Sequence, residues 1–307
     1  MLINKKNNPS QMHLSIMIVT RNRRDELLRA LQSCIECFLP DRTEFVIVDN
    51  ASQDGTKDAV ERFFQKHSIE DQYRYLSENV GPAGGRNEGL RRAKGRYIYF
   101  MDDDAHIDSR EPYFFEKMIN FLKENEDVFC VTTIVFDTKI NEARPTIESN
   151  NYFLNKYRKV FMFHGCSFFV DKQRLFNQNG LFLNHQFWGM EELYPSLKSY
   201  FNNRFIIEMK DINVIHESST NTRFDRGTEI ILHYTGAVHV KLTFYPLVAY
   251  PLVYFMFCLR IVRHLGFRAL PRSFMELAGR NTNLTKETMP FLMLMKLVKD
   301  FGFIATF

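Results

Sequence analysis

Three consecutive aspartates, Asp102, Asp103 and Asp104, directly follow the apolar run RYIYFM at residues 96–101. Adjacent carboxylates repel one another unless a cation or hydrogen bonds offset their charge. A hard divalent ion bridged to phosphate oxygens does this well, and magnesium sites typically use one or two carboxylates, with water and phosphate in the other positions. The triplet therefore indicates a metal at Asp104, with Asp102 directed toward a ribose or the same metal. The alternative is a solvated acidic turn before a helix at Pro112.

A glycine-rich segment, NVGPAGGRNEGL at residues 79–90, is the second candidate binding element. Glycines beside a helix start allow the backbone to approach a ligand closely, and helix N-termini favour anions. Arg86 in this segment is then within reach of a diphosphate. The pattern matches neither GxGxxG nor GxxxxGK[ST], which excludes the dinucleotide and P-loop motifs here. The alternative is a tight, glycine-rich turn between a strand and a helix.

Two glutamates, Glu191 and Glu192, open a predicted helix after the FWGM segment at residues 187–190. A carboxylate at that position near a sugar site is suited to accept a proton from an attacking hydroxyl. The alternative is the general preference of first helical turns for acidic residues. His216, which follows the apolar pair at 214–215, is either a metal ligand or a histidine satisfied at a strand end.

The elements that position these residues alternate between strand and helix over the first 137 residues. Apolar runs predict strands and 3.6-residue periodicity predicts helices. The strands are expected at 14–20, 44–50, 73–77, 96–101 and 128–136, and the helices at 22–38, from 54, from 82 and at 112–124. Such alternation predicts an α/β fold with a mostly parallel, Rossmann-like sheet and helices on both faces.

Polar residues follow four of the predicted strands, and ligands of parallel sheets bind at the carboxyl ends of the strands. The four sets are therefore expected at one edge: residues 20–22, 49–50, 78–79 and 102–104. Residues 137–160 are polar and predict an irregular connection with acceptor-side loops. Further helices are expected at 172–177 and 191–201, and short strands at 204–209 and 213–216.

Charge and cysteine content narrow the class of protein. The net charge is +4, but residues 260–307 carry a surplus of basic residues large enough that the remainder is close to neutral. A basic tail on a near-neutral body gives no support to nucleic-acid binding. Five cysteines and a polar N-terminus without an apolar leader predict reduced thiols in the cytoplasm.

The C-terminal third contains a charge-free run at 242–259, flanked by Lys241 and Arg260. A spanning helix needs about 20 apolar residues, and prolines at 246 and 251 interrupt this run. Four arginines follow within residues 260–272, a pattern typical of a segment lying on an anionic membrane surface. We expect residues 242–272 to contact the cytoplasmic membrane surface. A spanning helix, packing on the catalytic domain and a homodimer interface are the alternatives.

Together these pieces resemble glycosyltransferase family 2 on a GT-A fold, over residues 14–216. The matching pieces, in order, are SIMIVTRNR, FVIVDNASQDGT, ENVGPAGGRNEGL, YIYFMDDDA, GCSFFVDKQRLFNQNGLF, and FWGMEEL followed by VIH. The likeness is closest to the branch that includes rhamnosyl- and galactofuranosyltransferases.

The resemblance implies a role for each candidate residue. It places Thr20 and Asn22 under the nucleotide and Asp49 on the base, and Arg86 near the phosphates or the acidic loop. The remaining donor-side residues are the DxD pair Asp102 and Asp104 with Asp103 between them, and the further metal ligand His216.

The same resemblance implies the catalytic base. The family usually has Glu-Asp where this chain has Glu191-Glu192, and the second residue is the base. Glu192 is therefore the expected base. Glu191 stays a candidate because this chain has glutamate where the family usually has aspartate. The arginine usual a few residues later is Lys198 here.

The predicted protein is an inverting glycosyltransferase that uses a nucleotide-diphosphate sugar and Mg²⁺ or Mn²⁺. Residues 1–240 form the catalytic domain, with a nucleotide-sugar half at about 14–137 and an acceptor half at about 138–240, and residues 241–307 form a helical C-terminal appendage. The expected acceptor is a saccharide or a lipid-linked sugar in cell-envelope synthesis, at the inner face of the membrane. A sugar-nucleotide nucleotidyltransferase and a non-catalytic membrane-surface module are the alternatives.

Overall fold

A computed structural model describes residues 13–153, 156–177, 180–183, 188–217, 224–280 and 286–307. All five cysteines are free thiols, as predicted. The N-terminal residues 1–12, which the sequence predicts to be polar and without an apolar leader, lie outside the described residues.

The first half of the chain alternates strand and helix as predicted. Its elements are β1 (Leu14–Thr20), α1 (Arg24–Ile35), β2 (Thr43–Asp49), α2 (Thr56–His67), β3 (Asp71–Tyr75), α3 (Gly81–Arg92) and β4 (Tyr97–Asp102). The strands are parallel in the order β3-β2-β1-β4. The register pairs Thr20 with Asp49 and Val19 with Asp102. The polar residues after β1, β2 and β4 therefore meet at one edge of the sheet.

The second half extends the same sheet with antiparallel pairs. Its elements are β5 (Ala105–Ile107), α4 (Phe114–Glu124), β6 (Val128–Asp137), β7 (Glu142–Ala143), β8 (Glu148–Phe153), β9 (Tyr157–Val160), β10 (Ser167–Asp171), α5 (Leu193–Phe201) and β11 (Phe205–His216). The order continues β4-β10-β6-β11-β9-β8, and β10 runs antiparallel to both β4 and β6. The predicted α/β class is confirmed, with a sheet that is parallel in its first half and mixed as a whole.

Several predicted elements of this half were wrong in detail. The segment 137–160, expected to be irregular, holds β7, β8 and β9. These polar strands are stabilised by pairing rather than by an apolar pattern: β7 pairs with β6, β9 with β11, and β8 with β9. The two short strands expected at 204–209 and 213–216 are the single strand β11, which is irregular between Met209 and Asn213. The helix expected at 172–177 is only a 3₁₀ turn, Lys172–Arg174.

Apolar residues cover both faces of the sheet. One core packs α1 and α4 against the sheet, through residues such as Leu27, Phe115 and Met118. The opposite core packs α3 against it, through Ala83 and Leu90. Because β1 and β4 lie between these two layers, their side chains are almost entirely buried, which explains their near-continuous apolar sequences.

The C-terminal region is a set of helices: α6 (Arg226–Phe244), α7 (Tyr250–Leu265), α8 (Leu270–Gly279), α9 (Phe291–Phe301) and α10 (Phe303–Thr306). They share a core with α5, to which Leu193 and Leu197 contribute. The predicted domain boundary at 240/241 would fall inside α6, and the domain division stays a prediction.

The charge-free run 242–259 is split between two helices. Tyr245 is extended (ψ 147°) after the end of α6, because the residue before a proline is biased away from helical geometry and Pro246 follows it. Pro251 was expected to remove a helix hydrogen bond, but it lies in the first turn of α7, where no such bond is lost. By length and composition alone, Leu247–Leu265 is sufficient to cross a membrane, although 28% of it is buried inside the protein.

Candidate functional site

The acidic loop is brought to His216 by strand pairing. Asp102 ends β4, and the chain turns directly into β5, which pairs antiparallel with the end of β11 so that Ala105 lies opposite His216. As a result, Nε2 of His216 lies 3.1 Å from Oδ1 of Asp104. Potential ligand atoms of Asp102, Asp104 and His216 all lie within 4.8 Å of one another. Two carboxylates and one imidazole fit a divalent cation of the Mg²⁺ or Mn²⁺ type.

The second nitrogen of His216 is held by polar neighbours. Nη2 of Arg144 lies 2.9 Å from Nδ1 of His216, and Oδ2 of Asp137 lies 3.6 Å from it. Arg144 itself donates to Asp137 at 2.7 Å. Contacts of this kind fix the orientation of a metal-binding imidazole. Burial alone would lower the pKa of His216, but its hydrogen bond and proximity to Asp104 raise it.

Arg23, which the sequence analysis missed, lies against the same acidic loop. Its guanidinium is 3.3 Å from Asp103 and forms a close ion pair with Asp104. Burial and the neighbouring Asp104 raise the pKa of Asp103 to about 7. Burial would also raise the pKa of Asp104, yet the hydrogen bonds and charges of His216 and Arg23 lower it. The only sign of this role in the sequence was the position of Arg23, three residues after the end of β1.

Arg86 joins the acidic loop to the predicted base. Its Nη2 donates to Oδ1 of Asp102 at 2.7 Å and to the carbonyl oxygen of Gly165 at 3.0 Å, and its Nη1 lies 3.7 Å from Oε1 of Glu192. The guanidinium lies 5.4 Å from the ring centre of Phe182. Burial opposes the charge of Arg86, but Asp102 and Glu192 more than offset this and raise its pKa.

Two glycines of this segment have a packing role that the sequence did not predict. They were expected to let the backbone approach a ligand, but Gly85 and Gly89 lie inside α3 and face the sheet. A Cβ at Gly85 would be 2.6 Å from Val19, and one at Gly89 would be 2.7 Å from Met17. The glycines therefore let α3 lie closely on β1, which places Arg86 beside Asp102.

Glu191 and Glu192 lie in a turn that precedes α5, which begins at Leu193 rather than at Glu191 as predicted. Positive φ angles at Gly189 (84°) and Met190 (60°) direct the chain into this turn. Glu192 occupies the N-cap position, but its side chain makes no capping hydrogen bond. A helix-capping role therefore does not account for Glu192.

The electrostatics of the glutamate pair suit proton transfer. Burial and the adjacent Glu191 raise the pKa of Glu192 to about 8, and Arg86 partly opposes this. Burial also raises the pKa of Glu191. A base with a pKa near the working pH is the most effective in general-base catalysis. Gly165 leaves room for this carboxylate, since a Cβ there would lie 1.9 Å from Oε1 of Glu192.

Most of the predicted site residues surround one cavity of about 540 Å³. The predicted residues among its lining are Thr20, Arg86, Asp102, Asp103, Asp104, Glu191, Glu192 and His216. Residues that the sequence analysis did not assign to the site also line it: Arg23, Lys139, Arg144, Met162, Trp188, Glu229 and His233. Trp188 is the only tryptophan of the chain, and this rarity was the only feature of the sequence that could have indicated its place in the site.

Asp49 and Asn22 lie beside this cavity rather than in its lining. Asp49 lines a neighbouring hollow of about 390 Å³ with Ser52 and Gln53. It accepts hydrogen bonds from the backbone N–H of Ser52 at 2.7 Å and from the hydroxyl of Tyr73. Asn22 accepts from the backbone N–H of Gln53 at 2.7 Å. Both side chains thus stabilise the loop after β2, at the edge where a nucleotide base was predicted.

The sequence is similar to known glycosyltransferases over part of its length. The family model "Glycosyl transferase family 2" matches residues 15–182. A putative teichuronic acid biosynthesis glycosyltransferase, TuaG of Bacillus subtilis, is 34% identical over 119 residues, which cover 39% of this chain and 45% of that protein. The poly(ribitol-phosphate) beta-glucosyltransferase of Bacillus spizizenii is 30% identical over 116 residues, which cover 38% of this chain and 18% of that protein. The chain thus matches less than half the length of these relatives.

Two solved structures have the same fold. GalNAc-T7, crystallised with UDP, GalNAc and Mn²⁺, aligns with a TM-score of 0.65 at 13% identity, over 87% of this chain and 55% of that one. Residues 1–349 of S. aureus TarS, in complex with UDP-GlcNAc, align with a TM-score of 0.62 at 16% identity, over 87% of this chain and 79% of that one. The architecture is therefore the GT-A fold.

Proposed function

The chain belongs to glycosyl transferase family 2, and on that basis we propose that it is an inverting glycosyltransferase. It moves a sugar from a nucleotide-diphosphate sugar to an acceptor hydroxyl. The observation that carries this proposal is the chain of contacts from His216 and Asp104, through the acidic loop and Arg86, to Glu192 around one cavity. It places a candidate metal group and a candidate base on opposite sides of one guanidinium.

The donor end of the cavity is formed by the acidic loop. Asp102, Asp104 and His216 are the residues that would hold Mg²⁺ or Mn²⁺. When bound, the cation supplies charge neutralisation for the leaving diphosphate. Thr20 lies at the same strand edge, and the loop held by Asn22 and Asp49 borders the expected position of the nucleotide. GalNAc-T7, which has the same fold, was crystallised with UDP and Mn²⁺, and this supports the assignment of a nucleotide and a cation to this end of the cavity.

The acceptor end contains the base. Glu192 takes the proton of the acceptor hydroxyl as that oxygen attacks the anomeric carbon, and the bond to the donor phosphate breaks on the opposite side. One displacement with one base inverts the anomeric configuration. Arg86 orients Glu192 and, through Asp102, fixes it relative to the acidic loop. Glu191 is the second candidate for the base because it is also buried in this turn.

The names of two relatives support a proposal for the acceptor. TuaG is named for teichuronic acid biosynthesis, and the protein from Bacillus spizizenii for glucosylation of poly(ribitol-phosphate). We propose a saccharide or lipid-linked acceptor in the synthesis of a cell-envelope polysaccharide, on the cytoplasmic side of the membrane. The buried free thiols are compatible with a reducing compartment.

The test is a donor screen by calorimetry, with Mn²⁺ or Mg²⁺ and with chelator, followed by product analysis on the donor that binds. The proposal predicts metal-dependent donor binding and the release of a nucleoside diphosphate. A nucleotidyltransferase would instead release pyrophosphate from a nucleoside triphosphate. A non-catalytic module would bind a donor without turnover, and either result would refute the proposal.

A further inference from the structure

Exposed apolar side chains are concentrated in the C-terminal helices. In the described part of the chain, large exposed hydrophobic residues recur along residues 247–304 but are few and scattered before them. The C-terminal ones include Phe255, Leu259, Phe267, Met275, Leu292 and Ile304. Exposed apolar residues in such number on one set of helices indicate an interaction site rather than ordinary surface.

Helix α7 shows how this surface is arranged. Its inner side, with Val253, Phe257 and Ile261, is buried in the C-terminal core. Its outer side presents Phe255, which is 62% exposed, and Leu259, which is 50% exposed. Because these two residues are four apart, they lie on one face of the helix. The helix is therefore apolar on both sides, and only one side is covered by protein.

Helices α8 and α10 pack beside α7. Phe257 of α7 packs edge-on against Phe274 of α8, with ring centres 5.4 Å apart. Arg260 of α7 donates to the carbonyl oxygen of Ile304 in α10 at 2.8 Å. We call the exposed apolar residues of α7, α8, α9 and α10 the C-terminal face.

The charge around the C-terminal face is positive. Exposed basic residues on these helices and their connections are Arg263, Arg268, Arg272, Lys296 and Lys299. The acidic residues of the same helices and connections do little to balance them, since Asp300 is buried, Glu287 pairs with Lys198, and Glu276 is only partly exposed. The partner must therefore offer an apolar interior and a negatively charged rim.

We infer that the C-terminal face docks in the plane of an anionic lipid bilayer. Phe255, Leu259 and their neighbours enter the boundary between headgroups and acyl chains, and the arginines and lysines contact the anionic headgroups. A second copy of the chain is a poor occupant, because it would bring two faces of the same positive charge together. The inference does not depend on the catalytic proposal.

A spanning orientation of α7 conflicts with its packing. The segment Leu247–Leu265 is long enough to cross, but a single helix in hydrocarbon would have to leave α6 and the core that holds Val253 and Phe257. It would also break the hydrogen bonds of Arg260 to Ile304 and Phe307. The buried inner side and the exposed outer side are instead the arrangement of an in-plane helix.

Vesicle flotation of the full chain tests the inference, with phosphatidylcholine vesicles and with vesicles that contain phosphatidylglycerol, at 0.1 M and 1 M salt. We expect binding to the anionic vesicles at low salt and release at high salt, because the Debye length falls from about 10 Å to about 3 Å. Failure to bind anionic vesicles at low salt would overturn the inference. Binding that resists 1 M salt and needs detergent would replace it with a spanning helix.

Matched variants distinguish binding through the C-terminal face from nonspecific binding of the protein to vesicles. Phe255→Gln should weaken binding at least fivefold. Phe38→Gln is its control, because Phe38 is 60% exposed but lies outside the C-terminal helices, and it should not weaken binding. The double variant Arg263→Gln/Arg268→Gln should weaken it by about fivefold per arginine, the equivalent of about 1 kcal/mol each. Arg62→Gln/Lys66→Gln, at exposed positions on α2, is its control.

Equal losses in the variants and their controls would overturn the inference. So would sedimentation of the wild type as a dimer that Phe255→Gln dissociates, since this would assign the face to a second copy. Circular dichroism melts of each variant show whether it is folded. Because all these positions are exposed, we expect melting temperatures close to that of the wild type.

Discussion

Nη1 of Arg86 lies 3.7 Å from Oε1 of Glu192, while Nη2 of the same guanidinium donates to Asp102 at 2.7 Å. One buried side chain therefore touches both the candidate base and the acidic loop. Two features of the fold create this relationship: glycines that seat α3 on β1, and a positive-φ turn that directs Glu192 into the cavity. The predictions below follow from these contacts.

Replacing the base should separate turnover from donor binding. Glu192→Gln keeps the shape of the side chain but cannot accept a proton, so kcat should fall by about 10²–10⁴-fold with little change in donor affinity. Glu191→Gln is the matched control and should have a much smaller effect. Steady-state kinetics with calorimetry measures both quantities, and a large loss confined to Glu191→Gln would transfer the role to Glu191.

The pKa of Glu192 predicts how activity depends on pH. Because this pKa is raised to about 8, the carboxyl is mostly protonated at neutral pH, and kcat/KM should rise with pH until it levels off above about 8. Arg86 lowers the pKa of Glu192, so Arg86→Gln should move this limb to higher pH, and Arg86→Lys should restore part of the shift. A rate independent of pH between 6 and 9 would contradict this account.

The same pKa predicts a stability effect. The folded protein raises the pKa of Glu192 above its ordinary value of 4.5, so the folded state binds this proton more tightly than the unfolded state. Its contribution to stability is present at low pH and is lost as pH rises through about 8. Glu192→Gln should therefore raise the melting temperature at pH 8 relative to the wild type, and much less at pH 5. Melts at both pH values measure this difference.

Removing a metal ligand should abolish metal-dependent donor binding. Asp104→Asn removes one carboxylate from the candidate metal group and weakens the pairing of this position with His216 and Arg23. We expect no turnover and no calorimetric response to Mn²⁺ in the presence of nucleoside diphosphate. Donor binding that persists equally with and without chelator in the wild type would argue against the metal assignment.

Arg23 should compete with the cation. Its guanidinium pairs with Asp104, whose oxygens the metal needs, so Arg23→Gln should tighten Mn²⁺ binding on the order of tenfold, about 1.4 kcal/mol. Arg21 lines the same cavity and is exposed, so Arg21→Gln is the control. Calorimetric titration of Mn²⁺ without donor measures the effect. Equal affinities in Arg23→Gln and the wild type would show that Arg23 does not compete.

The sequence predicted the parts of the fold that local patterns encode. The apolar strands β1 and β4 and the helices between them have periodicities that need no tertiary information, and the acidic loop follows directly from the end of β4. Strands β8 and β9 were missed because they are held by pairing, β9 with β11 and β8 with β9, rather than by an apolar pattern. The approach of His216 to Asp104 depends on β5 pairing with β11, a contact between segments far apart in sequence.

Side-chain roles were predictable only in part. The glycines of α3 were noticed, but their spacing gave no indication that they face Met17 and Val19 instead of a ligand. Arg23 was passed over because an arginine after a strand has no distinctive pattern until its partners Asp103 and Asp104 are known. The apolar run at 242–259 was correctly seen as unusual, and its prolines were noted, yet which side of α7 is buried depends on packing in the C-terminal core.

The anomeric configuration of the first product tests the central claim most directly. With a donor of known anomeric configuration and Mn²⁺, proton NMR of a reaction in progress reports the coupling of the new anomeric proton. A single displacement assisted by Glu192 predicts a product of the opposite configuration, formed with release of nucleoside diphosphate and nearly absent with Glu192→Gln. A product of retained configuration, or an inverted one formed at full rate by Glu192→Gln, would contradict the mechanism.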